Sequence, residues 1–278
     1  MQTYSRGGLV FDVLDSGPPQ GPTVVCLHGF PQDSSAYAAV TPRLVATGCR
    51  VLAPDQRGYS PGARPSGRSA YVVPELLADV VALLDAAGVR SAHVVGHDWG
   101  GLVGWALAAA HPDRVRSLTS LSTPHPAAMV QGAIKGTQAL RSAYMGVFQV
   151  PVLPEQVLLA GGGKPMDLLL RRSGLPAEHV DRYVQRMRQP EALSAALGWY
   201  RALVLPGGGV GPVTVPTSYL VGTGDPFFSG TSVTATAQHV RGPYELVHLP
   251  AGHWLPETQS GAVAAAVLDH VRNNRPAG

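Results

Sequence analysis

The 278-residue chain is poor in several features that would assign it to particular environments. Its longest apolar runs fall short of the roughly 18 residues that a membrane-spanning helix needs. The opening segment M-Q-T-Y-S-R lacks the apolar stretch of a secretory signal. We therefore expect a cytoplasmic protein that has no membrane partner.

Cysteine is also scarce, which limits disulfides and metal sites. The two cysteines are Cys26, inside an apolar run, and Cys49, just before another, so we expect two buried small side chains rather than a disulfide. No cluster of histidine and cysteine has the spacing of zinc ligands. We expect neither a metal nor an organic cofactor.

Charged residues make up 14% of the chain, and the formal net charge is only +3. A sequence pI near 9.0 would suit a nucleic-acid partner, but no basic run exceeds the pair Arg171-Arg172. The arginines between Arg182 and Arg188 are typical of a solvated helix face. We therefore expect no nucleic-acid binding.

The chain does contain a regular alternation of short apolar runs and longer amphipathic stretches. With 45% hydrophobic residues it can bury a sizeable core. The apolar runs predict strands at Leu9–Leu14, Thr23–Leu27, Arg50–Ala53, Ala92–Val95, Val115–Leu121, Thr217–Val221 and Tyr244–Leu249. Apolar residues at helical spacing predict helices over 35–47, 71–87, 102–111 and 256–272. This alternation predicts an α/β fold with a mostly parallel central sheet flanked by helices.

The alternation stops after Pro124. Residues 126–212 give only helix-like patches, interrupted by glycine stretches at 161–163 and 207–209, before strands and helices resume. We interpret this segment as an inserted helical cap. The predicted organisation is a core domain formed by two parts of the chain, 1–125 and 213–278, with the cap at 126–212 between them.

The segment V-V-G-H-D-W-G-G, residues 94–101, carries the main chemical signal. It joins a buried strand to a helix through a turn flanked by Gly96 and Gly100, as in the G-x-S-x-G elbow that presents a nucleophile at strained backbone angles. Asp98 occupies the central position, so a carboxylate would be the nucleophile. A lone Asp before a helix is more often an N-cap, and the segments described next favour the nucleophile instead.

The first of these segments is H-G-F-P, residues 28–31, which directly follows an earlier strand. A glycine there lets the chain turn so that backbone amides face the elbow. The amides of Phe30 and Trp99 would then form an oxyanion hole beside Asp98. Alone, this short motif is equally typical of an ordinary turn.

The second signal is the pair of late strand ends. Asp225 follows one predicted strand and His253 follows the last, which gives the order nucleophile, acid, histidine of a hydrolase triad. The chain has ten histidines, and His253 alone has this location. We expect His97, within the elbow, and His28, before the oxyanion turn, to be structural.

From about residue 9 to residue 272 the chain resembles the α/β-hydrolase superfamily. The motif G-H-D-W-G resembles that of its epoxide hydrolase and haloalkane dehalogenase branch. The resemblance to epoxide hydrolases implies two cap tyrosines that hold the epoxide oxygen: Tyr144, shortly before F-Q-V-P, and Tyr200, within W-Y-R. Tyr183 lies on a charged stretch, and we expect it at the surface.

The resemblance implies an enzyme that converts an epoxide and water to a vicinal diol. Asp98 would attack a ring carbon to form an alkyl ester, while Tyr144 and Tyr200 protonate the leaving oxygen. His253, oriented by Asp225, would activate the water that cleaves the ester. We expect a small hydrophobic epoxide as the partner, bound by Phe30, Trp99, Phe148 and Trp199.

Two alternatives remain open at this point. A haloalkane dehalogenase would use the same triad, with Trp99 as one halide donor, although Phe30 is not an amide-bearing residue. A ligand-binding receptor on a hydrolase fold is the other, because fold alone does not fix function.

A carboxylesterase is disfavoured, because Asp98 would form a mixed anhydride with an ester. We expect a monomer or a homodimer.

Overall fold

The computed structural model describes residues 1–206 and 209–273. Within them, eight strands form one sheet in the order β1-β2-β4-β3-β5-β6-β7-β8. The strands are β1 (Thr3–Arg6), β2 (Leu9–Ser16), β3 (Thr23–Leu27), β4 (Arg50–Pro54), β5 (Ala92–His97), β6 (Val115–Leu121), β7 (Thr217–Gly222) and β8 (Tyr244–Leu249). The strands β1 and β2 are antiparallel to their neighbours and all other pairs are parallel. The predicted mostly parallel sheet is confirmed.

Strands β3, β4, β5 and β7 are buried along their whole length, which explains why most of their residues are apolar. Alternate side chains enter opposite cores, so that Val25 and Leu27 lie in one hydrophobic cluster and Val24 and Cys26 in the other. Both cysteines are buried and unpaired, as expected. Strand β1 was not predicted, because T-Y-S-R is polar; it is held by pairing with β2.

The helices that flank the sheet are α1 (Thr41–Val45), α2 (Val73–Ala86), α3 (Trp99–Ala110), α10 (Gly230–Ala235), α11 (Leu255–Thr258) and α12 (Ser260–Asn273). The single helix predicted over 35–47 is wrong. The structure has a 3-10 turn at Ser34–Tyr37 and then α1, which starts again with Pro42 in its first turn. Proline lacks an amide hydrogen and fits the first turn of a helix but not its interior.

Between β6 and β7 the chain forms a helical cap, as predicted. Its helices are α4 (Pro126–Lys135), α5 (Gln138–Arg141), α6 (Tyr144–Val147), α7 (Leu153–Arg172), α8 (Ala177–Met187) and α9 (Ala192–Ala202). The glycines at 161–163 have positive φ angles of 56°, 80° and 96°, and they kink α7 where a helix break was predicted. The predicted break at 207–209 falls largely on Gly207 and Gly208, which lie outside the described residues.

The cap helix α8 corrects two predictions. Tyr183 is fully buried rather than exposed, because it lies on the apolar face of the helix with Val180, Val184 and Met187. Arg186 is also turned inward and forms an ion pair with Asp55 of the core, so the face is not uniformly solvated. Local sequence showed the charges but not the core surface that the helix covers.

The carboxyl ends of the parallel strands carry the chemically relevant residues. Phe30 follows β3, Asp98 follows β5, Asp225 follows β7 and His253 follows β8. Ligands of open parallel sheets bind at this edge, and here the helical cap lies above it. Among the described helices, none is both long enough and apolar enough to cross a membrane.

Candidate active site

Asp98 occupies a sharp turn between β5 and α3, at φ 52° and ψ −118°. The turn needs glycine on both sides: a Cβ at Gly96 would lie 2.2 Å from the Gly100 carbonyl oxygen, and one at Gly100 would lie 2.1 Å from the Leu27 carbonyl oxygen. The Asp98 carboxylate makes no capping hydrogen bond to α3. The strained turn therefore presents this side chain to the cap instead of using it as an N-cap.

Two backbone amides stabilise the Asp98 carboxylate. The Phe30 amide donates to Oδ1 at 2.9 Å, and the Trp99 amide favours the charged form electrostatically. Gly29 makes this approach possible, since a Cβ there would lie 2.4 Å from the Asp98 Cβ. The predicted residues of the oxyanion hole are thus brought together around one carboxylate.

His253 lies between the two acidic residues. Its Nδ1 is 2.8 Å from Asp225 Oδ2, and its Nε2 is 3.7 Å from Asp98 Oδ2. The Phe227 amide donates to Asp225 Oδ1 at 2.8 Å and fixes that carboxylate. A carboxylate only accepts hydrogen bonds, so the proton of a neutral His253 lies on Nδ1 and leaves Nε2 as a base facing Asp98.

The two histidines expected to be structural are buried and hydrogen-bonded. His97 Nε2 lies 2.9 Å from the His253 carbonyl oxygen, which also accepts from Ser122 Oγ at 2.7 Å. His28 Nε2 accepts the Gln56 amide at 3.1 Å. The backbone of the triad histidine is therefore fixed from behind.

Burial and local charges shift the pKa values of the triad. Burial raises the pKa of Asp98, while His253 and the amides of Phe30 and Trp99 oppose the shift. Burial alone would lower the pKa of His253, but Asp225, followed by Asp98, outweighs it and raises this pKa above its usual value. His253 is thus a stronger base than an isolated histidine.

Tyr144 and Tyr200 extend from the cap into the space above Asp98. Their ring centroids are 6.2 Å apart, and both side chains line the cavity. The Trp99 and Tyr200 rings are in edge contact at 4.8 Å. Burial first and the Asp98 charge in addition raise the pKa of both tyrosines, so both stay protonated at neutral pH.

These residues surround a cavity of about 470 Å³, a size typical of small-molecule sites. Among the predicted residues, Phe30, Asp98, Tyr144, Phe148, Tyr200 and His253 line it. The sequence analysis missed most of the apolar wall, which includes Leu153, Leu158, Leu170, Phe227 and Trp254. Phe227 and Trp254 could have been predicted, because they lie close in sequence to Asp225 and His253. No such pattern points to the leucines of α7.

Trp199, predicted to bind substrate, does not line the cavity. It is 1% exposed, and its Nε1 donates to the Arg57 carbonyl oxygen at 2.8 Å. Its ring packs against Trp99, which itself lies beneath Tyr200 rather than in the cavity wall. The two indoles therefore support the tyrosine from behind.

Comparison with known proteins agrees with this architecture. A family model for the alpha/beta hydrolase fold matches residues 22–259. The AB hydrolase superfamily protein YfhM of Bacillus subtilis is 33% identical over 98% of both chains, and Epoxide hydrolase A of Mycobacterium tuberculosis is 33% identical over 94% of both. The crystal structure of Epoxide Hydrolase A from Mycobacterium thermoresistibile covers 98% of both chains, with 27% identity and a TM-score of 0.84.

A Bacillus megaterium epoxide hydrolase structure, with an inhibitor, is similar in fold at a TM-score of 0.87, with 22% identity and coverage of 98% of this chain and 100% of its own. The similarity in sequence and the similarity in fold both extend over nearly the whole length of the chain. The chain therefore belongs to the α/β-hydrolase fold family, and within it is similar to proteins named epoxide hydrolases.

Proposed function

We propose that the protein is an epoxide hydrolase that converts a hydrophobic epoxide and water to a vicinal diol. The observation that carries this proposal is that Tyr144 and Tyr200 join Asp98 and His253 in the wall of one apolar cavity. The similarity to relatives named epoxide hydrolases supports the same activity. Together with Asp225 and the Trp99 amide, the cavity residues supply every group that the following two steps need.

In the first step, Asp98 forms an ester with the substrate. Its Oδ1 accepts the Phe30 amide, which leaves Oδ2 to attack a carbon of the epoxide ring. As the ring C–O bond breaks, the leaving oxygen takes a proton from Tyr144 or Tyr200, and the other tyrosine stabilises it by a hydrogen bond. The products are a hydroxyalkyl ester of Asp98 and one tyrosinate.

In the second step, water cleaves the ester. His253 Nε2, oriented through Nδ1 by Asp225, removes a proton from water that attacks the Asp98 carbonyl carbon. The oxyanion that forms on Oδ1 is stabilised by the amides of Phe30 and Trp99. The diol leaves with one proton of the water, and the other proton restores the tyrosine.

A haloalkane dehalogenase would share Asp98, His253 and Asp225 but would need N–H donors for the departing halide. The Trp199 indole donates to a backbone carbonyl, and neither Trp99 nor Trp199 lines the cavity, whereas both cap tyrosines do. We therefore favour the epoxide. A receptor role would not require a histidine oriented by a carboxylate beside Asp98.

The test compares two substrate classes on the same enzyme. Purified protein is incubated with a styrene-oxide-like epoxide and, in parallel, with a bromoalkane of similar size. We expect diol formation and no bromide release, and His253→Gln should accumulate ester with the epoxide. Bromide release without diol formation would favour the dehalogenase, and tight binding without turnover would favour the receptor.

A further inference from the structure

A polar network runs behind the triad from the cap to the backbone of His253. Tyr183 of α8 donates to Glu257 Oε1 at 2.9 Å, and Gln32 Nε2 donates to the same oxygen at 2.7 Å. Gln32 Oε1 lies 2.7 Å from His97 Nδ1, and His97 Nε2 lies 2.9 Å from the His253 carbonyl oxygen. Of these residues, only His253 lines the catalytic cavity.

The orientation of the Gln32 amide is set by its neighbours. The Gly29 backbone amide donates to Gln32 Oε1 at 2.8 Å, which requires an oxygen at that position. Exchanging the oxygen and nitrogen of Gln32 would put two donors face to face at Gly29. Gln32 therefore directs its NH₂ group to Glu257 and its oxygen to His97.

Both ring nitrogens of His97 consequently face oxygen atoms that accept. One is the Gln32 amide oxygen and the other is the His253 carbonyl oxygen, and neither can donate a hydrogen bond. A neutral imidazole carries a single N–H, so it would leave one of these short contacts between two acceptors. Only the doubly protonated ring of His97 makes both bonds.

A buried imidazolium needs a nearby anion, because an uncompensated charge in the interior is strongly destabilising. Burial lowers the pKa of His97, and the neighbouring His253 and His28 lower it further, while its bond to the His253 carbonyl acts in the opposite direction. The contacts favour the charged ring, provided that a counter-charge is present. Glu257 is the acidic residue in the network; burial raises its pKa to about 7, the hydrogen bonds from Gln32 and Tyr183 oppose this shift, and its Oε2 is buried without a hydrogen-bond partner.

We propose that Glu257 is a positioning residue whose carboxylate, acting across the Gln32 amide, is the counter-charge that keeps His97 doubly protonated and so holds the backbone of His253. Tyr183 stabilises the same carboxylate from the cap, which joins the cap to the triad. The consequence for ester hydrolysis rests on the proposed function, whereas the protonation of His97 does not.

The direct test is the ¹⁵N and ¹H NMR signature of the His97 ring at a pH about one unit above the raised pKa of Glu257, without substrate. We expect both ring nitrogens to carry a proton in the native protein and only one in Glu257→Gln, which keeps the shape of the side chain but removes its charge. Tyr183→Phe is the matched control, because it removes one hydrogen bond to Glu257 but leaves the carboxylate, so His97 should stay doubly protonated.

A charge exchange tests the mechanism by rescue. The double substitution Gln32→Glu with Glu257→Gln places a carboxylate directly against His97 and should restore the second ring proton. A singly protonated His97 in the native protein would overturn the proposal. An unchanged protonation state of His97 in Glu257→Gln would also overturn it. So would equal effects of Glu257→Gln and Tyr183→Phe on the ring protons, because these would indicate that packing alone is responsible.

Kinetics then measure the effect on the triad. We expect Glu257→Gln to slow hydrolysis of the Asp98 ester on the order of tenfold, corresponding to one weakened buried hydrogen bond, and to change ester formation by less than about twofold. The exchanged pair should recover the hydrolysis rate. If the native protein forms no ester, the proposed function fails while the NMR result stands. If Glu257→Gln slows ester formation and ester hydrolysis equally, the positioning role of Glu257 is overturned.

Discussion

Removing the hydroxyls of the cap tyrosines should slow ester formation without slowing ester hydrolysis. In Tyr144→Phe or Tyr200→Phe, the leaving oxygen keeps one phenol and loses the other. A hydrogen bond to a charged group contributes about 1.5–3 kcal/mol, which corresponds to a rate loss between about tenfold and 100-fold. The double variant has neither a proton donor nor a hydrogen bond, so we expect a loss on the order of 10⁴-fold.

The two single variants should differ in stability. Tyr200 is 2% exposed and packs against Trp99, so the loss of its hydroxyl should lower the free energy of unfolding by about 1 kcal/mol. Tyr144 is only partly buried, so its replacement should be milder. Denaturant unfolding separates this effect from the effect on catalysis.

The assay is a single turnover with enzyme in excess, in which ester formation and diol release are followed separately. Tyr71→Phe is the matched control, because it removes a buried hydroxyl that donates to the Pro65 carbonyl oxygen outside the catalytic cavity. We expect normal rates for this control. Normal ester formation in the Tyr144 and Tyr200 double variant would refute the role given to the tyrosines.

Three further predictions concern the triad and its turn. His253→Gln should stop at the ester, because alkylation does not need the histidine base, and intact-protein mass spectrometry should record the added substrate; an unmodified protein would contradict the order of steps. Gly29→Ala places a Cβ 2.4 Å from the Asp98 Cβ and should lower ester formation by about 100-fold, whereas Gly261→Ala, with no atom within 4 Å, should be silent. The rate of ester hydrolysis should fall as the pH drops, since protonated His253 cannot act as a base. The ester removes the Asp98 charge that raises the pKa of His253. The pKa that governs this fall should therefore lie below the pKa of His253 in the free enzyme, as measured by NMR.

The sheet and the elbow could be predicted because their signals are local. Thr23–Leu27 and Val115–Leu121 match the observed strands residue for residue, and the first does so because a strand buried on both faces is a nearly continuous apolar run. Asp98 was found because a strand, a turn that only glycine allows and a helix follow directly in sequence. The two cap tyrosines came from resemblance and not from such a pattern.

Features that depend on how the cap lies over the core could not be predicted. Tyr183 reads as a surface residue among charges, yet it reaches Glu257 of the core. Trp199 lies next to Tyr200 in sequence, but adjacent helical residues point in different directions, and the indole turns away from the cavity. The leucines of α7 that line the cavity lie on both sides of the kink at its three glycines, and their position depends on how the cap covers the core.

The most direct test of the central claim, that Asp98 is a covalent nucleophile, is a single turnover in oxygen-18 water. We expect the label to enter the carboxylate of Asp98, as located by peptide mass spectrometry, and the first diol to carry an unlabelled oxygen from the enzyme. Label found in the first diol, with Asp98 unlabelled, would mean that water attacks the epoxide directly and that no covalent ester forms.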